Sequence, residues 1–294
     1  MTEIEQAWDV VDAVARFGQR ARRVVALHAP GAPMRERASF RIDTESGMTI
    51  KARRMENEAA AQRQQELRAD LPADFAPVLA RVGAILLESW IEGRPLNEIP
   101  PSETLIRRAG SVLAALHAPR RAAGKSLPFR SDLAGLRNDT LSGLRSLATL
   151  GALDAAAADL LCAIADAAAP GESWHCLIHT DFCGENMVVD SAGCLFVVDN
   201  EHFRFGPPGM DLARSWYRWG WHDQDRSPRE WETFREAYEA AGGDAEAFAH
   251  EPFWRIAAVT ISARLRLRLG HPDTALPLHC LMDIARSTRS GGNR

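Results

Sequence analysis

Four polar side chains gather in one short stretch, LIHTDFCGENMVVDSAGCLFVVDN: His179, Asp181, Asn186 and Asp199. Two strand-like runs, HCLIHTD and CLFVVDN, bracket the ENMVVDSAG segment, which puts the four groups in two turn regions around a β-hairpin. A carboxylate that can orient a hydroxyl and accept its proton, with oxygen ligands for a hard cation nearby, is the equipment of phosphoryl transfer. A histidine and an aspartate two residues apart after a strand are commonplace when they stand alone. Here Asn186 follows Asp181 by five residues and Asp199 follows Asn186 by thirteen, behind an apolar strand, and that set is specific.

The segment HTDFCGEN resembles the HxDxxxxN catalytic loop of the aminoglycoside phosphotransferase and choline kinase-like family, and VVDN resembles that family's metal-binding aspartate turn. Downstream, GPPGMDLARSW resembles its short helix-opening segment with a buried aspartate, here Asp211. Upstream, ILLESWIEGRPL resembles the hinge and LAALHA the helix before the catalytic loop. The resemblance covers most of the chain, and the first 40 residues carry least of it. It implies a protein-kinase-like fold and transfer of the γ-phosphoryl group of ATP to a hydroxyl, with Asp181 as catalytic base and His179 supporting the loop. Asn186 and Asp199 would be the Mg2+ ligands. Lys51 would hold the α- and β-phosphates, paired with Glu58 or, failing that, Glu56. Main-chain groups from Glu88 to Trp90 would read the adenine.

Lysine usage points the same way: of 35 basic residues only Lys51 and Lys125 are lysines. A lysine at the end of the third strand of such a chain is notable where the chemistry wants a compact ammonium. One part of the family pattern is broken. Between the first two strands stands APGAPMRERAS in place of a glycine-rich phosphate loop, so that either Arg35, Arg37 or Ser39 contacts phosphate or the stretch is an arginine-rich, solvated hairpin.

The acceptor is expected to be a small hydroxyl compound, with a lean toward a cationic one. Residues 201–250 hold ten acids against six arginines, and WYRWGWHDQD sets four aromatics beside Asp223 and Asp225, the candidate substrate residues. Trp216 and Trp219, however, stand at i and i+3, as core aromatics repeat on a helix. Kinases of choline, amino alcohols or sugars would share every catalytic residue. A catalytically silent nucleotide-binding module is the alternative from another class. A protein kinase fits less well, because the chain runs from VVDN straight to GPPGMDLA without an APE-like segment.

The elements that position these residues follow from pattern. RRVVALHA, SFRID, MTIKA, PVLARV and AILLESW read as strands, with MENEAAAQRQQELRADL as an inserted helix stopped by Pro72. The expected fold is α+β and bilobal: residues 1–92 form a nucleotide-binding lobe of five antiparallel strands and one helix, including the hinge. Residues 93–294 form a larger, mostly helical catalytic and substrate-binding lobe, with ATP between the two.

Composition excludes other classes. A chain of 294 residues, 46% hydrophobic and 25% charged, has material for a real core. The net charge of −4, with no basic tract interleaved with aromatics, argues against nucleic acid. No apolar run approaches the roughly 20 residues that span a bilayer. Five cysteines without a secretion signal suggest free thiols and the cytoplasm. His175, Cys176, His179, Cys183 and Cys194 include no CxxC pair, and strand alternation turns Cys176 away from the histidines, so a zinc site is hard to assemble. The run ARLRLRLG reads as the solvated side of a helix.

Overall fold

A computed structural model describes residues 7–27, 38–118, 130–221 and 228–291. The first unit begins with helix α1 (Trp8–Arg16), strands β1 (Ala21–Leu27), β2 (Ser39–Thr44) and β3 (Thr49–Arg54), and helix α2 (Glu58–Arg68). Strands β4 (Val78–Val82), β5 (Ile85–Ser89) and β6 (Arg94–Pro95) follow. Next come α3 (Glu103–His117), β7 (Arg130–Asp132), α4 (Ala134–Thr149), α5 (Ala155–Ala168), β8 (Glu172–Trp174) and β9 (Cys176–Ile178). A hairpin of β10 (Met187–Val189) and β11 (Leu195–Val197) leads to β12 (Arg204–Gly206). Helices α6 (Pro208–Ser215), α7 (Pro228–Ala240), α8 (Glu246–Ala249), α9 (Glu251–Arg268) and α10 (Ala275–Gly291) complete the chain.

The chain divides into two compact units, Met1–Ile99 with Glu185–Phe203 and Pro100–Gly184 with Arg204–Arg294. A single cut at residue 92 therefore does not describe them. The hairpin returns to the first unit because β10 pairs with β6, through Val188↔Pro95 and Val189↔Arg94, and because Ala76 N–H donates to Val197 O at 3.0 Å. Gly93 permits that pairing, since a Cβ there would stand 2.3 Å from Val189 O.

In the first unit five antiparallel strands lie in the order β1-β2-β3-β5-β4. Alternation sets their faces: Phe40, Ile42, Ile50 and Ala52 are fully buried against Val10, Ala13 and Val14 of α1. The strand period of two turns Lys51 and Arg53 to the opposite face. Helix α1 is a second helix in this unit beyond the one expected, formed because its apolar residues recur at helical spacing. Helix α2 starts at an Asn57 cap, whose side chain accepts from Ala60 N–H at 2.8 Å, and packs on β4 and β5.

The second unit is mainly helical. Its core collects Leu144 and Leu147 of α4, Leu161 and Ala165 of α5, and Phe253, Ile256 and Ala257 of α9. Gly110 lets α3 lie close on α7, since a Cβ there would be 2.4 Å from Phe234 O. Among the described residues no helix is long and apolar enough to cross a membrane.

Candidate active site

The hairpin β10–β11 turns at Asp190, whose carboxylate accepts from Ala192 N–H and Cys194 N–H, with Gly193 in the left-handed region at φ 81°. Val198 N–H donates to Asn186 O at 2.9 Å, extending the ladder by one step. Asn186 and Asp199 are thereby brought to the same end of the hairpin. Asp199 itself takes φ 61°, a left-handed conformation unusual for a residue with a side chain. The next residue, buried Asn200, holds the turn by donating from Nδ2 to Val197 O at 3.0 Å.

Lys51 lies in β3, opposite Arg41 of β2 and Glu88 of β5. Its Nζ meets Asp199 Oδ1 at 2.9 Å and Glu201 Oε2 at 3.4 Å. The other Glu201 oxygen accepts from Arg53 Nη1 at 2.9 Å. Glu88 turns into the interior to pair with Arg68 of α2 at 2.8 Å, both side chains being 1% exposed. Three cations and three carboxylates thus balance within the unit. Burial alone would lower the Lys51 pKa, but the charges of Glu88, Glu201 and Asp199 hold it above the usual lysine value. Burial would raise Asp199, but Lys51, by charge and hydrogen bond, brings it down to about 2, with help from Arg53. Both groups are therefore ionised at neutral pH.

Glu58 and Glu56, expected to pair with Lys51, do not. Both are exposed, and the Glu58 carboxylate lies near the β4–β5 turn, 3.5 Å from where a Gly83 Cβ would stand. The buried face of α2 is Ala61, Gln64 and Arg68, and Gln64 donates from Nε2 to Phe203 O at 2.9 Å, so the helix turns no acid toward Lys51. Of the main-chain groups from Glu88 to Trp90, Ser89 N–H donates to Pro77 O at 3.0 Å and Trp90 N–H to Thr49 O at 3.4 Å. Two expected adenine-reading donors are thus engaged within the unit. Arg35 and Arg37 lie outside the described residues, whereas Ser39 is buried and accepts from Arg53 Nη1 at 2.6 Å.

Asp181 belongs to the second unit, and the chain passes to the first between Gly184 and Glu185. The loop carrying it leaves β9 and is anchored by Asp211, in the first turn of α6 and fully buried. Asp211 accepts from His179 N–H at 2.6 Å and Thr180 N–H at 2.7 Å, and its Oδ2 lies 3.2 Å from His117 Nε2. His117 Nδ1 lies 2.9 Å from the Tyr238 hydroxyl, which accepts from Asp244 N–H at 3.3 Å. An ionised Asp211 can only accept, so His117 Nε2–H donates to it. Burial opposes ionisation of Asp211, yet His117, by hydrogen bond and charge, and then His179 hold it below the usual carboxylate range.

Thr180 takes φ 73°, which turns the chain so that buried His179 and Phe182 flank the partly exposed Asp181. His179 supports the turn, its Nδ1 accepting from Asp181 N–H at 3.3 Å. Phe182 is pinned by Ser215 Oγ, which donates to its carbonyl at 2.8 Å. Arg214, three residues after Asp211 on α6, sets Nη2 3.8 Å from the Asp181 carboxylate. Asp223 and Asp225 lie outside the described residues. The tryptophans beside them are core: Trp216 is covered by the Arg255 guanidinium at 4.0 Å, and Trp219 packs on Phe234.

Sequence reasoning passed over Glu201, Arg53, Arg68, His117, Tyr238 and Arg214. Strand alternation puts Arg53 on the Lys51 face, and Glu201 follows Asp199 by two residues, so those two left a trace. An ionised, partly exposed Asp199 and an asparagine at one hairpin end suit Mg2+, a hard cation that takes its other oxygens from phosphate and water. Among the described residues no cluster of three or more His, Cys, Asp or Glu forms a metal cage of its own.

Solved structures share this fold. The macrolide 2′-phosphotransferase of Brachybacterium faecium superposes with TM-score 0.64 at 18% identity, covering 93% of this chain and 97% of that one. The choline kinase of Streptococcus pneumoniae, also solved with AMP, gives 0.65 at 14% identity over 97% and 100%. A putative fructosamine-3-kinase of Thermobifida fusca gives 0.62 at 18% identity over 94% and 98%. No curated protein matches the sequence. The α+β architecture is thus kinase-like, and because the model of the phosphotransferase enzyme family matches residues 18–253, most of the chain, this protein belongs to that family.

Proposed function

We propose that the protein is an ATP- and Mg2+-dependent kinase that moves the γ-phosphoryl group to a hydroxyl of a small molecule. The observation that carries this reading is the loop anchored by Asp211, which leaves Asp181 partly exposed while His179 and Phe182 are buried. In this reading the first unit holds the nucleotide and the second holds the acceptor. Lys51, kept charged by three carboxylates, takes the α- and β-phosphates. Asp199 and Asn186 hold Mg2+, which when bound neutralises phosphate charge as it develops. Asp181 orients the acceptor hydroxyl for in-line attack and takes its proton.

A cationic nitrogen on the acceptor fits the acid-rich 201–250 segment, and choline and protonated fructosamine, named for two of the relatives, carry one. Arg214 already sets a cation beside Asp181, which places such a nitrogen away from the reacting hydroxyl.

The test is Mg2+-dependent ADP release against a panel of aminoglycosides, macrolides, choline, ethanolamine, fructosamines and sugars. Asp181→Asn should lower acceptor-stimulated turnover by about 100- to 10,000-fold, the scale of a lost general base. Near-normal turnover in that variant removes Asp181 from the role. ATP binding without turnover on any acceptor would favour a catalytically silent nucleotide-binding module.

A further inference from the structure

A buried ammonium needs a carboxylate that stays with it. Lys51 is 9% exposed, and one of its two ion-pair partners, Asp199, is the residue assigned above to Mg2+. An aspartate that turns its oxygens to a metal has less to offer the lysine. The acid expected from α2 is not there: its buried face offers Ala61, Gln64 and Arg68.

We propose that Glu201 is the positioning residue for Lys51, holding the ammonium in place when Asp199 engages metal, in the part expected of Glu58. The geometry suits this. Glu201 is 4% exposed, and its two oxygens are divided between Lys51 Nζ at 3.4 Å and Arg53 Nη1 at 2.9 Å. Lys51 and Arg53 are alternate residues of β3 and share a face, so one carboxylate spans both and fixes the lysine along the strand. With both oxygens committed to cations, Glu201 does not compete with Asp199 for Mg2+. Glu88 adds negative charge from the facing strand, but its carboxylate is held by Arg68. The assignment rests on the nucleotide role of Lys51 in the proposed function.

Two measurements on the full chain test it. The first is calorimetry with MgATP on wild type, Glu201→Gln, Glu201→Asp, Lys51→Ala and the double change Lys51→Ala/Glu201→Gln. Glu201→Gln should weaken MgATP about tenfold or more, the scale of one charge-assisted hydrogen bond, and Glu201→Asp, which keeps the charge, should lose less. In the Lys51→Ala background the Glu201→Gln change should cost less than about threefold, because a residue acting through the lysine has nothing left to hold. Fully additive losses overturn the proposal. So does a Glu201→Gln effect that appears as a raised Mg2+ requirement at saturating ATP, which would make Glu201 a metal ligand.

The second measurement uses the scarcity of lysine. With two lysines in the chain, 15N-lysine labelling gives at most two side-chain signals, and loss of one in Lys51→Ala assigns Lys51. Its ammonium protons should exchange slowly in the nucleotide-free wild type and quickly in Glu201→Gln, with Glu201→Asp between them. An unchanged Lys51 signal in both variants refutes the positioning role. If wild type fails to bind MgATP while the signal responds as expected, the nucleotide reading fails and the Lys51–Glu201 coupling stands.

Discussion

Replacing Asp211 by asparagine removes one charge and almost no volume, and its cost follows from what the carboxylate accepts. Two main-chain donors, His179 N–H and Thr180 N–H, and the His117 ring converge on it in a fully buried site. An asparagine can accept through one oxygen, while its NH2 meets another donor. Charge-assisted hydrogen bonds contribute about 1.5–3 kcal/mol each and a buried unpaired donor costs about 1–3 kcal/mol, so the change should destabilise by roughly 3–5 kcal/mol. For a unit of this size that is a fall in Tm of about 6–20 °C. The catalytic effect is separate. The left-handed Thr180 costs about 1–3 kcal/mol and is held by one of the lost bonds. Relaxation there shifts Asp181, and a displacement near 1 Å costs about 100-fold in turnover. Nucleotide affinity should change little, because Lys51 and Asp199 are fixed within the other unit. The pH dependence carries a sign: the folded pKa of Asp211 lies below its unfolded value. Its contribution is complete above about pH 4 and is lost as pH falls toward the folded value, and the variant should lack that acid limb. Thermal melts at pH 3–7, ADP release with the best acceptor, and MgATP calorimetry together check this. A variant within about 2 °C of wild type and within threefold in kcat would refute the anchoring role.

Glu88→Gln leaves Arg68 buried without its ion and should cost about 3–5 kcal/mol in denaturant unfolding. Arg68→Met/Glu88→Met together should recover most of that loss, because both buried ions leave at once, and a double variant as unstable as the single one would contradict it. Asp199→Ala should abolish Mg2+-dependent nucleotide binding by calorimetry. With its carboxyl at about 2 in the folded protein, Asp199 keeps its pair with Lys51 through the neutral and mildly acid range. That contribution is whole above about pH 4 and lost as pH falls toward 2, so wild-type and Asp199→Ala melts should converge at the acid end.

The five strands could be read from the sequence because one face of the sheet is buried: a period of two survives in Phe40, Ile42, Ile50 and Ala52 whatever the topology. The candidate catalytic loop and the hairpin could be read because His179 to Asp199 is one local segment, where spacing alone sets geometry. The Lys51 partners could not. Asp199 and Glu201 lie 148 and 150 residues away along the chain, and no local pattern records which acid the fold will bring to a given strand. Glu58 was the natural expectation because it opens the adjacent helix. Its position in the first turn, where a carboxylate favours the helix dipole and faces solvent, is what keeps it from Lys51. The same holds for Tyr238, whose hydroxyl reaches His117 across 121 residues. The tryptophans of 216–221 carried two meanings, core and cation binding, and burial decided for core at Trp216 and Trp219.

Thr180 and Asp199 are the two described non-glycine residues with positive φ, and each stands beside or at a group that the proposed chemistry uses. Such backbone costs about 1–3 kcal/mol apiece and persists where the surroundings over-determine it. Here the surroundings do. Thr180 N–H is taken by the buried Asp211 carboxylate, and Asp199 is held by Lys51 while Asn200 closes the turn behind it. Glycine would adopt either conformation without strain, yet it would leave no carboxylate at 199. In the proposed function the strain at Asp199 sets an ionised oxygen ligand where the hairpin ends. At Thr180 the turn exposes Asp181 while its neighbours His179 and Phe182 stay in the core, and a straight strand end would point successive side chains to alternate faces without that sharp exposure. In each unit a buried charged side chain thus holds a left-handed residue in place: the Asp211 carboxylate takes Thr180 N–H, and the Lys51 ammonium pairs with the Asp199 carboxylate.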